Sequence, residues 1–239
     1  MIKLPSQEIA VVKYKNHSIV MHTPNAYTER RAYNMFAKEP ETTDWILKMN
    51  RDDILWDIGA CVGTYTLMAG TIAGVTVHAF EPLYANVNNL NSNIVLNKLE
   101  DRCKVYCCAI SDRTGFGTLE YSMFDAPGLS DTQIDKHRTF KQGTLTYSID
   151  DLIELGIPHP THIKVDVDGV EGKILKGGMK TFQNVKSILV EMQFLDRCND
   201  EEEECIYRLV EYGFKFNKDV VSIGPKNNLT LPVNYIFYR

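Results

Sequence analysis

A doubly wound, mostly parallel α/β sheet is the fold class this sequence predicts, with an antiparallel C-terminal edge and an N-terminal helical preface. Three observations carry that expectation. Short apolar runs alternate with stretches of helical period through most of the chain. The run Ile54, Leu55, Trp56, Asp57, Ile58 meets a glycine turn at Gly59 and then a helical pattern over 62–73. That arrangement points backbone N–H groups and a positive helix end at a ligand. Finally, Asp57, Glu81, Asp112, Asp166 and Glu191 each fall at the carboxyl end of an apolar run, where sheets of this class hold their ligands.

Composition narrows the class. The chain has 239 residues, 44% hydrophobic and 24% charged, which suits one globular unit with a full core. The net charge is -5 and no basic stripe is present, so nucleic acid is disfavoured as a partner. The acidic run Glu201 to Glu204 reads as the start of a helix, where the dipole favours acids. The six cysteines include no Cys-x-x-Cys pair. Cys103, Cys107 and Cys108 therefore read as small hydrophobes in a reducing compartment. Residues 1–10 lack an apolar signal core, and no stretch approaches the roughly 20 apolar residues of a membrane span. A cytoplasmic protein is expected.

Taken in order, residues 1–22 suggest one or two small strands. Residues 27–50 turn helical, with Ala32, Met35, Phe36 and then Trp45, Ile46, Met49 at spacings of three and four, divided at Pro40. This preface, residues 1–50, is expected to pack against the edge of the main sheet formed by 51–239. Its residues Tyr27, Glu29 and Arg30 either face the ligand or lie on a helix that merely covers apolar surface. A second strand spans 75–80, and a helix spans 84–97 despite six asparagines of weak propensity. A third strand covers 103–110. Segments 116–121 and 143–149 suit an antiparallel insert. The polar connection 122–142, with Pro127-Gly128 and His137, is a candidate lid. Then follow a short helix (150–155), a fourth strand (162–167), a helix (170–180) and a fifth strand (187–192). A helix over 200–212 places Cys205, Ile206, Leu209 and Val210 on one face and is closed by Gly213. Residues 214–216 and 234–238 supply the antiparallel edge.

The glycine turn sets the chemistry. A dinucleotide site needs glycines at the first, third and sixth positions. Counted from Gly59, those places hold Cys61 and Thr64, so NAD and FAD are disfavoured, and no phosphate loop is present. What remains is Asp-x-Gly-x-x-x-Gly from Asp57 to Gly63, with Glu81 ending the next run. An acid at that place accepts hydrogen bonds from both hydroxyls of a ribose, and Asp57 can meet a cationic amine. S-adenosylmethionine has both groups and no phosphate. The plainer alternative keeps Asp57 as a turn cap and Glu81 as a surface acid. Asp112 likewise either meets an adenine amino group or only forms the turn ahead of Gly115. In Ile-Lys-Val-Asp-Val-Asp-Gly-Val-Glu (163–171), alternation puts Lys164, Asp166 and Asp168 on one side of the strand. A lysine there keeps the carboxylates ionised.

Together these segments resemble the FkbM family of S-adenosylmethionine-dependent methyltransferases. The resemblance runs from about Tyr27 to the C-terminus. It rests on Asp-Ile-Gly-Ala-Cys-Val-Gly-Thr-Tyr (57–65), Phe-Glu-Pro (80–82), Ser-Ile-Asp-Asp-Leu (148–152), the 163–171 segment and Leu-Lys-Gly-Gly (175–178). Cys61 stands where the family usually has asparagine, and Asp168 where it has glutamate. The resemblance implies a Rossmann-like, class I methyltransferase fold and transfer of a methyl group to a hydroxyl of a sugar, lipid or polyketide. The cofactor would be held by Asp57, Gly59, Ala60, Cys61, Gly63, Thr64, Tyr65, Glu81, Pro82, Ala109, Ser111, Asp112 and Asp166. Asp166 is the candidate general base, oriented by Lys164 and Glu171, and His137 is a second candidate. Asp166, Asp168 and Glu191 are also the oxygen ligands a Mg²⁺ would use, a metal the spacing does not require. Against this stand a cofactor-binding protein without catalysis and an N-methyltransferase, whose Asn/Asp-Pro-Pro-aromatic signature is absent. A homo-oligomer is compatible with the sequence.

Overall fold

Two alternating sets of apolar side chains, one for each face of every central strand, fix the architecture. The computed structural model describes residues 8–121, 127–128, 140–167, 169–192, 200–216 and 233–239. A hairpin, β1 (Ile9–Tyr14) and β2 (His17–His22), leads into helices α1 (Ala26–Tyr33) and α2 (Pro40–Leu47). Then come β3 (Ile54–Ile58), α3 (Thr64–Met68) running into a π-helical turn at Ala69–Ala73, β4 (Thr76–Phe80), α4 (Tyr84–Leu96) and β5 (Cys103–Tyr106). The insert is β6 (Ala109–Ile110), β7 (Gly115–Tyr121) and β8 (Phe140–Tyr147). The second half holds α5 (Ile149–Glu154), β9 (His162–Val165), α6 (Glu171–Lys176), α7 (Met179–Phe182) and β10 (Ser187–Met192). It closes with α8 (Asp200–Glu211), β11 (Lys215–Phe216) and β12 (Val233–Tyr238).

The main sheet has the order β11-β12-β10-β9-β3-β4-β5. Strands β10, β9, β3, β4 and β5 are parallel, and β12 is antiparallel to both its neighbours. Chain order reverses between β3 and β9, which makes that gap the topological switch point, where such sheets bind ligands. Leu55, Val77, Ala79 and Leu189 belong to the core on one face. Trp56, Ile58, Phe80, Ile163, Val165, Ile188 and Val190 belong to the core on the other. Both faces are therefore covered, as parallel sheets require.

Four expectations need correction. The preface lies on a face of the sheet rather than at its edge: the Trp45 indole donates to Ser187 Oγ at the foot of β10 (2.8 Å) and meets the His162 ring edge-on. The third strand divides, because the Tyr106 carbonyl accepts from both Glu81 and Cys108 and turns the chain out of the sheet. β6 then pairs with β8 instead. The 170–180 helix divides at Gly177, where a Cβ would stand 2.3 Å from the Ser111 carbonyl oxygen. On α8, Cys205 and Leu209 are buried but Val210 is exposed.

The asparagines of α4 explain themselves. Asn93 accepts from His22 N–H (2.7 Å) and donates to the Val62 carbonyl (2.9 Å), while Asn97 bonds both the N–H and the carbonyl of Val20. Side-chain amides thus satisfy the outer edge of the hairpin, which offsets their poor helix propensity. Among the described residues, no helix is long and apolar enough to cross a membrane.

Candidate active site

A cleft of about 420 Å³ opens at the switch point. Its floor is the carboxyl ends of the strands: Ile58 and Gly59 at the end of β3, Phe80, Glu81 and Pro82 at the end of β4, Asp166 after β9 and Glu191 on β10. One wall is the insert, with Ala109 and Ile110 from β6 and Ser111 just after it, Gly117 to Glu120 from β7 and Thr144 and Thr146 from β8. The Gln142 amide donates to the Pro82 carbonyl (2.7 Å) and holds the start of β8 against the floor. The candidate lid touches down at Pro127 and Gly128. Their carbonyls accept from Asn25 Nδ2 (3.0 Å) and Arg31 Nε (2.7 Å), and Gly128 N–H donates to Asn86 (2.9 Å).

Gly59 has φ +80°, and a Cβ there would come within 1.9 Å of the Asp166 carbonyl oxygen. The glycine is thus required by β9, before any ligand is considered. Cys61 also adopts a positive φ of 50°, a region asparagine enters more readily than most residues. Its thiol is pushed up to about 12 by burial, so it is inert. The Cys61 backbone N–H donates to Glu81 Oε2 (2.8 Å), and Leu83 N–H donates to Oε1 (2.9 Å). Burial nevertheless raises the Glu81 carboxyl above its ordinary range.

Lys164 organises the second half. It stands opposite Asp57 in the β3–β9 register, and its side chain is 1% exposed. Its ammonium donates to Asp166 Oδ2 at 2.6 Å and lies 4.7 Å from the centre of the Tyr65 ring. Burial opposes ionisation of Asp166, but Lys164, a hydrogen bond from Glu191 and Lys38 outweigh it and hold Asp166 well below the usual range. Glu39, which precedes α2, is similarly kept ionised by Lys164 and Lys38 despite burial. Asp57 is fully buried. One of its oxygens accepts from the Thr66 hydroxyl (2.6 Å), while Oδ1 lacks a hydrogen-bond partner. Burial raises its pKa.

The structure thus brings Gly59, Cys61, Glu81, Pro82, Ala109, Ser111 and Asp166 to one cleft. Asp57, Ala60 and Lys164 are buried beneath it, and Gly63 is packed against Leu90. Thr64 and Tyr65 line a neighbouring hollow with Lys38. Asp112, which accepts from Ser111 Oγ (3.2 Å), does not line the cleft. Glu171 does not line it either: it accepts from Gly169 N–H (3.3 Å), and burial, then Glu202, push its carboxyl up to about 7. His137 and Asp168 lie outside the described residues. No group of three metal-binding side chains occurs among the described residues. Sequence reading missed Arg31, Lys38, Asn86 and Lys173, all of which line the cleft. Arg31 is one residue from the predicted Arg30, a phase error within α1. Lys173 carried no signal of its own.

Comparison with known proteins agrees with this geometry. Residues 57–216 match the methyltransferase FkbM domain. A hexuronic acid methyltransferase, AglP, of Haloferax volcanii is 32% identical over 142 residues, which is 59% of this chain and 56% of that protein. The 31-O-demethyl-FK506 methyltransferase FkbM of Streptomyces tacrolimicus is 37% identical over 70 residues, 29% of this chain and 26% of the other. The crystal structure of methyltransferase FkbM from Methylobacillus flagellatus superposes with a TM-score of 0.56 at 18% identity, covering 90% of this chain and 55% of that one. Aeropyrum pernix fibrillarin, solved with S-adenosylmethionine, gives 0.54 at 9% identity, covering 98% and 85%. The chain spans about half the length of the hexuronic acid methyltransferase and about a quarter of that of the FK506 methyltransferase. Its fold is that of class I methyltransferases, and the chain belongs to the FkbM methyltransferase family.

Proposed function

We propose that the chain is an S-adenosylmethionine-dependent O-methyltransferase acting on a hydroxyl of a sugar, lipid or polyketide-type small molecule. The observation that carries this reading is the convergence of Glu81 and Asp166 on one cleft at the switch point of the sheet. The residues present fit the cofactor. The Glu81 oxygens accept two backbone N–H groups and a side-chain hydrogen bond from Asn86, and the acceptor site that remains suits a ribose hydroxyl. Asp57, with one unpartnered oxygen behind the glycine turn, and ionised Asp166 suit a cationic ligand. The apolar lining from Phe80, Cys108 and Ile110 suits a flat ring.

S-adenosylmethionine supplies a methyl group activated on a sulfonium. The chain's own task is to align the acceptor oxygen and exclude water, which can contribute roughly 7–11 kcal/mol. In this reading Asp166, at the β9 end, takes the proton from the acceptor hydroxyl, and its 2.6 Å bond from Lys164 supports a fixed orientation. The names of the two relatives, one a hexuronic acid methyltransferase and one a 31-O-demethyl-FK506 methyltransferase, support an oxygen acceptor on a small molecule. Transfer of labelled methyl from S-adenosylmethionine to hydroxylated sugars, lipids and polyketides tests the reading. Asp166→Asn is expected to lower kcat by about 10²–10⁴-fold. Undiminished turnover in that variant would contradict the assigned role.

A further inference from the structure

Methyl transfer as drawn above gives no part to Glu191, a carboxyl on the floor of the cleft. Glu191 lies on β10 beside the end of β9, where Val190 pairs with Val165, so it and Asp166 emerge side by side, line the same cleft and share a hydrogen bond. Lys164 holds the other side of Asp166 at 2.6 Å. Two carboxylates in contact cannot both ionise cheaply. The lysine lies on Asp166, so the shared proton belongs to Glu191. We infer that Glu191 is a positioning residue: its carboxyl donates to Asp166 and, with Lys164, holds the Asp166 carboxylate fixed in the cleft to meet the acceptor. The inference rests on the reading of Asp166 given above.

The charged groups around Glu191 are Asp166 and Lys164 from β9 and Lys38, ahead of α2 and itself paired with Glu39. Its register partner on β12 is neutral Asn234. Burial and then Asp166 push the Glu191 carboxyl well above its usual range, and Lys38 and Lys164 only partly oppose them. Loss of that proton puts a second negative charge against Asp166 and breaks the clamp.

The test begins with the protein free of cofactor and acceptor, by carboxyl ¹³C NMR titration of wild type, Glu191→Gln and Asp166→Asn. The carboxyl resonance assigned to Glu191 by its disappearance in Glu191→Gln should stay protonated past neutral pH in wild type and titrate in the ordinary acid range in Asp166→Asn. In turnover, wild type should lose kcat on the alkaline side. Glu191→Gln, which still donates, should lose that decline, and Glu191→Ala should lower kcat by up to about a hundredfold. A Glu191 that titrates in the ordinary acid range, an alkaline decline that survives in Glu191→Gln, or an unchanged kcat in Glu191→Ala would each overturn the inference. Absence of S-adenosylhomocysteine binding would instead sink the methyltransferase reading, and the NMR titration would still decide the protonation of Glu191.

Discussion

Both ends of the central sheet carry buried charge, and they treat it in opposite ways. At the amino end, Asp53 accepts from Lys186 Nζ (2.6 Å) and Asn50 N–H (2.7 Å) and pairs with His162 (3.2 Å). Burial opposes its ionisation, yet these partners bring its pKa down to about 2. His162 in turn contacts Ser187 Oγ (2.7 Å), which also accepts from Trp45. Serine, histidine and aspartate here are the residue types of a nucleophilic triad, but each is used to fasten α2 and the feet of β3, β9 and β10 together. At the carboxyl end, burial prevails over most of the carboxyls, Asp166 on Lys164 being the exception. Asp57, Glu81 and Glu191 all lie above their ordinary range. Carboxyls that the fold holds against their preferred ionisation, around a cleft, mark the end that a ligand completes.

The largest effect should come from forcing that end apart. Gly59→Ala must place a Cβ against the Asp166 carbonyl at positive φ, which should cost about 2–5 kcal/mol in urea unfolding and abolish S-adenosylhomocysteine binding. The effect at the amino end is smaller and purely structural. Asp53→Asn should lower stability by about 1–3 kcal/mol while leaving cofactor affinity unchanged. The pH dependence has a definite sign. The folded pKa of Asp53 lies below its ordinary 3.8, so its contribution is complete above that value and fades as pH falls toward 2. Unfolding curves of the variant should therefore converge on wild type in acid. A change in cofactor affinity in Asp53→Asn would break the contrast between the two ends.

Much of the carboxyl end was legible because its chemistry is concentrated in strand-terminal residues. Asp57, Gly59, Glu81 and Asp166 announce themselves by following apolar runs, and the alternation 163–167 already set Lys164 beside Asp166. The walls were not legible. Arg31, Lys38, Asn86 and Lys173 reach the cleft through helix phase and insert docking, which no local pattern encodes. The split after Tyr106 was hidden because an apolar run reads alike whether or not it changes sheets. The same limit applies to Gly177, whose need arises from Ser111, far away in sequence.

Calorimetric titration with S-adenosylhomocysteine, on wild type and Glu81→Ala, tests the central claim most directly. The account predicts saturable binding by wild type. It also predicts a loss of about tenfold to a hundredfold in the variant, as expected for a charge-assisted hydrogen bond of roughly 1.5–3 kcal/mol. Wild type that releases no heat and gains no thermal stability with the ligand would contradict it, as would a Glu81→Ala variant that binds as tightly as wild type.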